Sequence, residues 1–337
     1  MRETTDSVLT ETRESVDVAR EAPAHQAMLS DVLAGLRLPQ KQLSPKYFYD
    51  TRGSELFEQI TRLEEYYPTR KERSLLEQWM PSWVHELRPA ALVELGAGSA
   101  DKSRIVLDAM SRYETGNLYV PVDVSGEFLH ETAQRLRDEY NGLRVEPEVA
   151  DITEPLEISV PLPRPSWLAL LGSTIGNCDP VGAVRLLCRV ARQLRPGDRF
   201  LMGADLRPGG AKTGQRVERA YNDVAGVTAE FNLNVLRVLN RELGIDFDLD
   251  AFEHRAFYNA EHGRIEMHLK AVDQQMVTFP NGAAPVYIES GESIRTEISC
   301  KYDRETIDLL FAEAGLCVER WVEDPEGFFA LMLATRA

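Results

Sequence analysis

The residues best suited to chemistry gather at the ends of short apolar runs. From Ala91 to Ser103 the chain reads Ala-Leu-Val-Glu-Leu-Gly-Ala-Gly-Ser-Ala-Asp-Lys-Ser. An apolar run ends in an acid, opens into a Gly-x-Gly loop and continues into a helix-like segment, Lys102 to Met110. That order suggests a buried strand, a tight turn and a helix whose N-terminus faces a ligand. Gly96 and Gly98 permit positive φ and let the backbone come close to a bound molecule. Ala100 and Asp101 stand where the dinucleotide fingerprint needs its third glycine, so the stretch argues for no pyrophosphate clamp. It suits a nucleoside ligand without phosphates, above all S-adenosylmethionine.

Further acids and amides stand at equivalent positions. Asn117 to Val124 reads as a second strand ending in Asp123, where a carboxylate grips a ribose diol through paired hydrogen bonds or, alternatively, caps the next helix. Arg144 to Val149 reads as a third strand with Asp151 and Ile152 as its edge, where they could meet an adenine amino group and ring face. Trp167 to Leu171 forms a fourth strand and feeds Gly172-Ser173-Thr174-Ile175-Gly176-Asn177; Phe200 to Leu206 forms a fifth, ending in Asp205. Helical segments alternate with these runs (Glu72 to Leu87, Phe128 to Tyr140, Val181 to Leu194). The expected fold is therefore α/β, an open, doubly wound, mostly parallel sheet whose ligands lie beyond the strand C-termini.

Outside that sheet the pattern differs. Residues 1–24 read as a flexible tail, and His25 to Leu36 as a helix. Leu43 to Arg73, rich in Tyr and Phe beside Pro, Asp and Arg, reads as a loop-rich lid over the ligand. Val217 to Leu243 is expected to be one long helical region. Arg264 to Lys270 and Val286 to Tyr302 contain antiparallel strands, Thr306 to Gly315 is a helix, and Cys317 to Thr335 holds two closing strands. The implied domains are the tail 1–24, the lid and ligand-binding domain 25–206, an inserted α+β lobe 207–302, and a segment 303–337 that rejoins the sheet.

Composition narrows the partners. A net charge of −16, spread along the chain, repels nucleic acid and anionic membranes. The histidines and the four cysteines (Cys178, Cys188, Cys300, Cys317) form no metal-ligand spacing and no C-x-x-C pair, so no metal is expected and the thiols read as small buried side chains. No secretory leader and no membrane-length apolar run is evident, which points to the cytoplasm.

Several longer stretches, taken together, resemble one family: Tyr47-Phe48-Tyr49-Asp50, Gly53-Ser54-x-Leu56-Phe57, Glu65-Tyr66-Tyr67-Pro68-Thr69-Arg70, Glu94-Leu95-Gly96, Gly172 to Asn177, Ala220-Tyr221-Asn222-Asp223, Phe231-Asn232-x-Asn234, Ile265-Glu266-Met267, and Thr296-Glu297-Ile298-Ser299-Cys300-Lys301. From about residue 25 to its end the chain resembles the histidine-specific, S-adenosylmethionine-dependent methyltransferases of ergothioneine biosynthesis, which make hercynine. The resemblance implies a Rossmann-like class I methyltransferase sheet with an inserted substrate lobe, L-histidine as substrate, S-adenosylmethionine as methyl donor, no metal, and a monomer.

Residue by residue, it implies that Gly96, Lys102, Asp123, Asp151 and Ile152 contact the donor. It implies that Tyr66, Gly172, Asn177, Tyr221, Met267, Glu297 and Ser299 bind histidine, with Tyr49, Tyr66, Asn177 and Tyr221 at the reacting centre. Lys102 would pair with the donor's carboxylate; read alone, it is a solvated helix lysine. Glu297 and Ser299, two apart on a strand, face one side and can hold the two imidazole nitrogens; read alone, they are a polar edge. Met267 would be pocket wall; read alone, it is core. Two other readings remain: methylation of another aromatic amino acid such as tryptophan, and a non-catalytic module that binds S-adenosylmethionine or histidine.

Overall fold

The computed structural model describes residues 25–155 and 157–337, so the tail expected over 1–24 lies outside the described residues. A first helix, α1, spans 25–36 and buries Leu29, Val32 and Leu36 on one face, as the 3.6-residue period requires. A 3-10 turn at Pro45–Phe48 and helix α2 (Thr51–Arg62) follow, and α3 (Tyr67–Leu87) begins just beyond. The loop-rich reading of 43–73 is thus corrected: most of that segment is helical. Asp50 is the N-cap, accepting from Gly53 N, and Pro68 sits in the first turn of α3, where its missing N–H costs nothing. Gly53 is no breaker. A Cβ there would lie 1.7 Å from Phe48 O, so the close approach of α2 to the preceding turn demands glycine.

The alternating middle of the chain builds β1 (Ala91–Leu95), α4 (Ser103–Arg112), β2 (Leu118–Asp123), α5 (Gly126–Glu139), β3 (Arg144–Val145), β4 (Glu148–Val149), β5 (Ser166–Leu170), α6 (Pro180–Gln193) and β6 (Arg199–Asp205). The expected third strand is two short pieces, each pairing with β2, because Pro147 between them has no N–H for the ladder. Asp151 and Ile152 accordingly sit in a turn rather than on a strand edge.

The remaining elements are α7 (Gly214–Arg219), α8 (Val227–Leu243), β7 (Phe252–Asn259), β8 (Arg264–Ala271), β9 (Gln275–Val277), β10 (Val286–Ile288), β11 (Ser293–Cys300), α9 (Arg304–Ala314), β12 (Leu316–Glu323) and β13 (Phe329–Arg336). The single helix expected over 217–243 is interrupted. Asp223 accepts from Val227 N and Thr228 N and so starts α8 afresh, leaving Tyr221 in the break.

The main sheet runs β12-β13-β6-β5-β1-β2-β3, with β4 also on β2. Strands β1 to β6 are mutually parallel; β13 is antiparallel to β6 and β12 to β13. The order reverses at β1, which has β2 on one side and β5 on the other, and the ligand crevice of such sheets opens there. A second, antiparallel sheet runs β11-β8-β7, and β9 pairs with β10. Two apolar clusters cover the faces of the main sheet. A third joins α1, α2, Tyr66 and Tyr67 to α8, β7 and β8, so the aromatic N-terminal segment shares its core with the second sheet. The Phe48–Phe231 stack at 4.6 Å is one of its contacts, of a kind worth about 0.5–1.5 kcal/mol beyond area burial. The buried-thiol expectation holds for Cys300 alone: Cys178 and Cys188 are half-buried, and Cys317 is exposed because β12 is the sheet's outer strand.

Candidate active site

A cavity of about 710 Å³ opens beyond the C-terminal ends of β1, β2 and β5 and reaches β11 of the second sheet. Its walls include every residue expected to bind donor or substrate except Met267.

One half is built mainly from backbone turns. Gly96 has φ +73° and Gly98 φ +52°, conformations that a Cβ disfavours. Gly96 N and Ala97 N donate to Val122 O, which fastens the loop to the end of β2. Asp123 accepts from Gly98 N at 3.0 Å through one oxygen and from Ser125 N at 3.1 Å through the other. It therefore braces the turns on both sides while lining the cavity. Asp151 accepts from Thr153 N at 2.8 Å and lies 3.5 Å from Lys46 Nζ. Glu94 takes another role: it is buried and accepts from Ser103 Oγ and Tyr119 Oη. Burial pushes its carboxyl up to about 7 despite those bonds.

Lys102 is neither a solvated lysine nor an unpartnered cation. Its Nζ lies 2.6 Å from Glu72 Oε2, and both oxygens of Glu72 accept from Gly172 N, at 2.9 and 2.8 Å. The fully buried Glu72 thus ties α3 to the start of α4 and to the loop after β5. That loop turns through Gly172 (φ +79°) and Ser173 (φ 56°) into a 3-10 turn, Thr174–Asn177, which delivers Asn177 to the cavity.

The other half is built from side chains. Tyr66 precedes α3, Tyr221 occupies the α7–α8 break, and Glu297 and Ser299 alternate on β11. The Tyr66 and Tyr221 rings meet edge to face at 6.1 Å; Phe57 lies 6.3 Å from Tyr66 and 5.9 Å from Tyr49. Among the described residues, the Glu297 carboxylate, the Asn177 amide and the Tyr49 and Tyr66 hydroxyls have no hydrogen-bond partner, so these are polar groups available to a ligand. Burial pushes the Glu297 carboxyl up to about 7, with Lys301 pulling the other way. Burial, with nearby acidic and phenolic groups, raises the Tyr49 and Tyr66 hydroxyls well above the usual phenol range, so both remain protonated near neutrality. Met267 lies behind the cavity lining: it is buried and pairs with Glu297 in the β8–β11 register.

Beneath this half lies a charged network that was not identified from the sequence. Asp205, at the end of β6, lies 2.5 Å from Lys212 Nζ and 2.7 Å from Lys301 Nζ and accepts from Tyr67 Oη at 2.9 Å. Lys301 Nζ also donates to Tyr221 Oη at 3.0 Å and to Ser299 Oγ at 2.8 Å, while Tyr221 Oη donates to Ser299 Oγ at 2.9 Å. Burial opposes charge on Lys301, but Asp205 and Tyr221 outweigh it and raise its pKa above the usual lysine range. Burial raises Asp205, yet the two lysines hold it below the usual carboxylate range. Lys212 is lowered to about 8, first by burial and then by Lys301, against the pull of Asp205. A signal for Lys301 did exist: residues 297, 299 and 301 share one face at the strand period of two.

Among the described residues, no group of three or more His, Cys, Asp or Glu side chains is placed to hold a metal, and no helix is long and apolar enough to cross a membrane. Residues 28–336 match the family model described as histidine-specific methyltransferase, SAM-dependent. The chain is 42% identical over 316 residues to the histidine N-alpha-methyltransferase of Mycobacterium tuberculosis, covering 94% of this chain and 97% of that one. It is 44% identical over 313 residues to the enzyme of the same name from Mycolicibacterium smegmatis, covering 93% and 96%. Ergothioneine biosynthesis protein 1 of Neurospora crassa is 30% identical over 305 residues, 88% of this chain but 33% of that protein.

Proposed function

The chain belongs to the histidine-specific, S-adenosylmethionine-dependent methyltransferases, and from that premise we propose that it methylates the α-amine of L-histidine three times, forming hercynine for ergothioneine biosynthesis. The observation that carries this reading is one continuous cavity with the Gly96–Asp123 turns at one end and Glu297 with Ser299 at the other.

S-adenosylmethionine supplies a methyl carbon already activated by a sulfonium. The residues present suit it: the Gly96 loop admits close backbone approach, Asp123 offers a braced carboxylate to the ribose, Asp151 and Ile152 flank the adenine, and Lys102 retains donors for the methionine carboxylate. The protein's contribution is then alignment rather than covalent catalysis. Glu297 and Ser299 hold the imidazole; Tyr66, Asn177 and Tyr221 surround the carboxylate and amine. Because the Tyr221 hydrogen is directed at Ser299, Tyr66 is the tyrosine whose O–H is available to the carboxylate. The raised Tyr49 and Tyr66 hydroxyls act as neutral groups, so the amine's proton leaves through water or by relay across a protonated tyrosine. The rings of Tyr49, Phe57, Tyr66 and Tyr221 suit an amine that gains permanent positive charge, since aromatic faces attract quaternary ammonium groups.

The proposal includes a lid segment and donor-binding domain within 25–206, a substrate lobe over 207–302 whose core the lid segment shares, a segment 303–337 that rejoins the main sheet, and a monomer that works in the cytoplasm without a metal, nucleic acid or membrane. The unpartnered Glu297 carboxylate disfavours side chains that lack an N–H, because a buried acceptor left unpaired costs about 1–3 kcal/mol; the bulkier indole is disfavoured because it needs a roomier, apolar wall. Replacing Glu297 by Ala is expected to weaken histidine far more than donor binding in isothermal titration calorimetry. Unchanged histidine affinity would refute the pocket assignment.

A further inference from the structure

The hydrogen bonds of Ser299 can be counted. Its Oγ accepts from Lys301 Nζ and from Tyr221 Oη. A hydroxyl offers one hydrogen and two lone pairs, so both lone pairs are taken and only the hydrogen is left for the cavity. Tyr221 is the donor of the pair, because a phenol is the more acidic hydroxyl; Lys301 donates to both oxygens alike. Lys301 in turn directs its N–H groups to Asp205, Tyr221 and Ser299, and it is buried. Its three N–H groups are thus matched by three partners.

We propose that Lys301 is a positioning residue that makes Ser299 a fixed hydrogen-bond donor, so that the pocket takes histidine as a neutral imidazole in one tautomer, lone pair toward Ser299 and N–H toward Glu297. This rests on the reading that Glu297 and Ser299 hold the ring. A carboxylate alone would favour an imidazolium. The fixed donor opposes a second N–H, because two donors facing each other leave both unpaired. Specificity then comes from the pair acting together, one acceptor and one donor. Keeping the ring neutral also spares the cavity a further positive charge beside the sulfonium and the methylated amine.

The test is nitrogen NMR of ring-15N histidine bound to the full chain with S-adenosylhomocysteine, the demethylated donor. The wild-type complex is expected to show one N–H nitrogen and one lone-pair nitrogen, without averaging. In Lys301→Met, where Lys212 still neutralises Asp205, the two resonances are expected to move toward averaged or doubly protonated values. Histidine affinity should fall about tenfold while donor affinity stays within about twofold. A wild-type ring protonated on both nitrogens overturns the inference even if the variant fails to fold, and so does an unchanged pattern in a folded Lys301→Met. Ser299→Ala separates the two levels of the argument. If it leaves the ring resonances unaltered, the pocket reading itself fails; if it shifts them while Lys301→Met does not, only the role of Lys301 fails.

Discussion

The two halves of the cavity are made in opposite ways. The half near β1 and β2 is largely local: a strand end, two left-handed glycines and an aspartate that accepts from neighbouring amides. The half near β11 gathers Tyr49, Tyr66, Asn177, Tyr221, Glu297 and Ser299 from distant parts of the chain and rests Tyr221 and Ser299 on buried charges. A nucleoside can be held by backbone turns that recur in many proteins. Distinguishing one amino acid from another needs side chains whose hydrogen-bonding roles are set, and setting them in a dry interior requires further ions behind them.

The sharpest way to break this contrast is to remove the hub. Asp205→Leu leaves Lys212 and Lys301 buried without their shared carboxylate, and breaking such a set is expected to cost about 3–5 kcal/mol. Denaturant unfolding should register the loss; a change below about 1 kcal/mol would mean that the charges are not mutually supporting.

Glu297→Gln tests the same half through pH. The folded-state pKa of about 7 exceeds the reference value of 4.5, so between these values the folded chain holds more protons than the unfolded one. Stability therefore falls as pH rises through that window, and the penalty is complete above it. The glutamine variant is expected to be more stable than wild type at pH 8, by about 1–3 kcal/mol, with the advantage gone near pH 4.5. Thermal melts at both pH values measure this. The same variant should bind histidine less well, which would make Glu297 a group kept for function at the expense of stability.

A glycine pair sharpens the comparison at smaller energies. At Gly176 a Cβ would lie 2.8 Å from Cys300 O and 3.5 Å from Ser299 Oγ. Gly176→Ala should therefore displace β11 and cost about 1–3 kcal/mol, with a higher KM for histidine. At Gly96 the nearest atom to a Cβ would be Thr174 Cγ2 at 3.7 Å, so Gly96→Ala pays only for its left-handed φ, about 1 kcal/mol, and should raise the donor's KM instead. Steady-state kinetics with each substrate varied in turn would detect the opposite assignment.

This asymmetry also explains what could be read from the sequence. The sheet, the Gly-x-Gly turn, Asp123 and the loop leading to Asn177 were legible because their signals are local: apolar runs, glycines and strand-end acids. The identities in the histidine half came from a family resemblance, since nothing in the spacing of Tyr66, Tyr221 and Glu297 brings them together without the fold. Glu72, Lys212 and Lys301 were missed because charged residues are ordinarily exposed, and their burial is decided by partners far away in the chain. Helix α2 was hidden by Gly53, whose role is a close tertiary contact. The break at Tyr221 was hidden by helical periodicity that continues on both sides of Asp223.

The most direct measurement is mass spectrometry of L-histidine incubated with the full chain and S-adenosylmethionine carrying a trideuterated methyl group. The expected product has three labelled methyl groups, all on the α-nitrogen, with the ring unlabelled. Label on the imidazole, equal transfer to tryptophan, or no transfer at all would contradict a cavity in which a braced nucleoside end and a charge-supported imidazole end open onto one another.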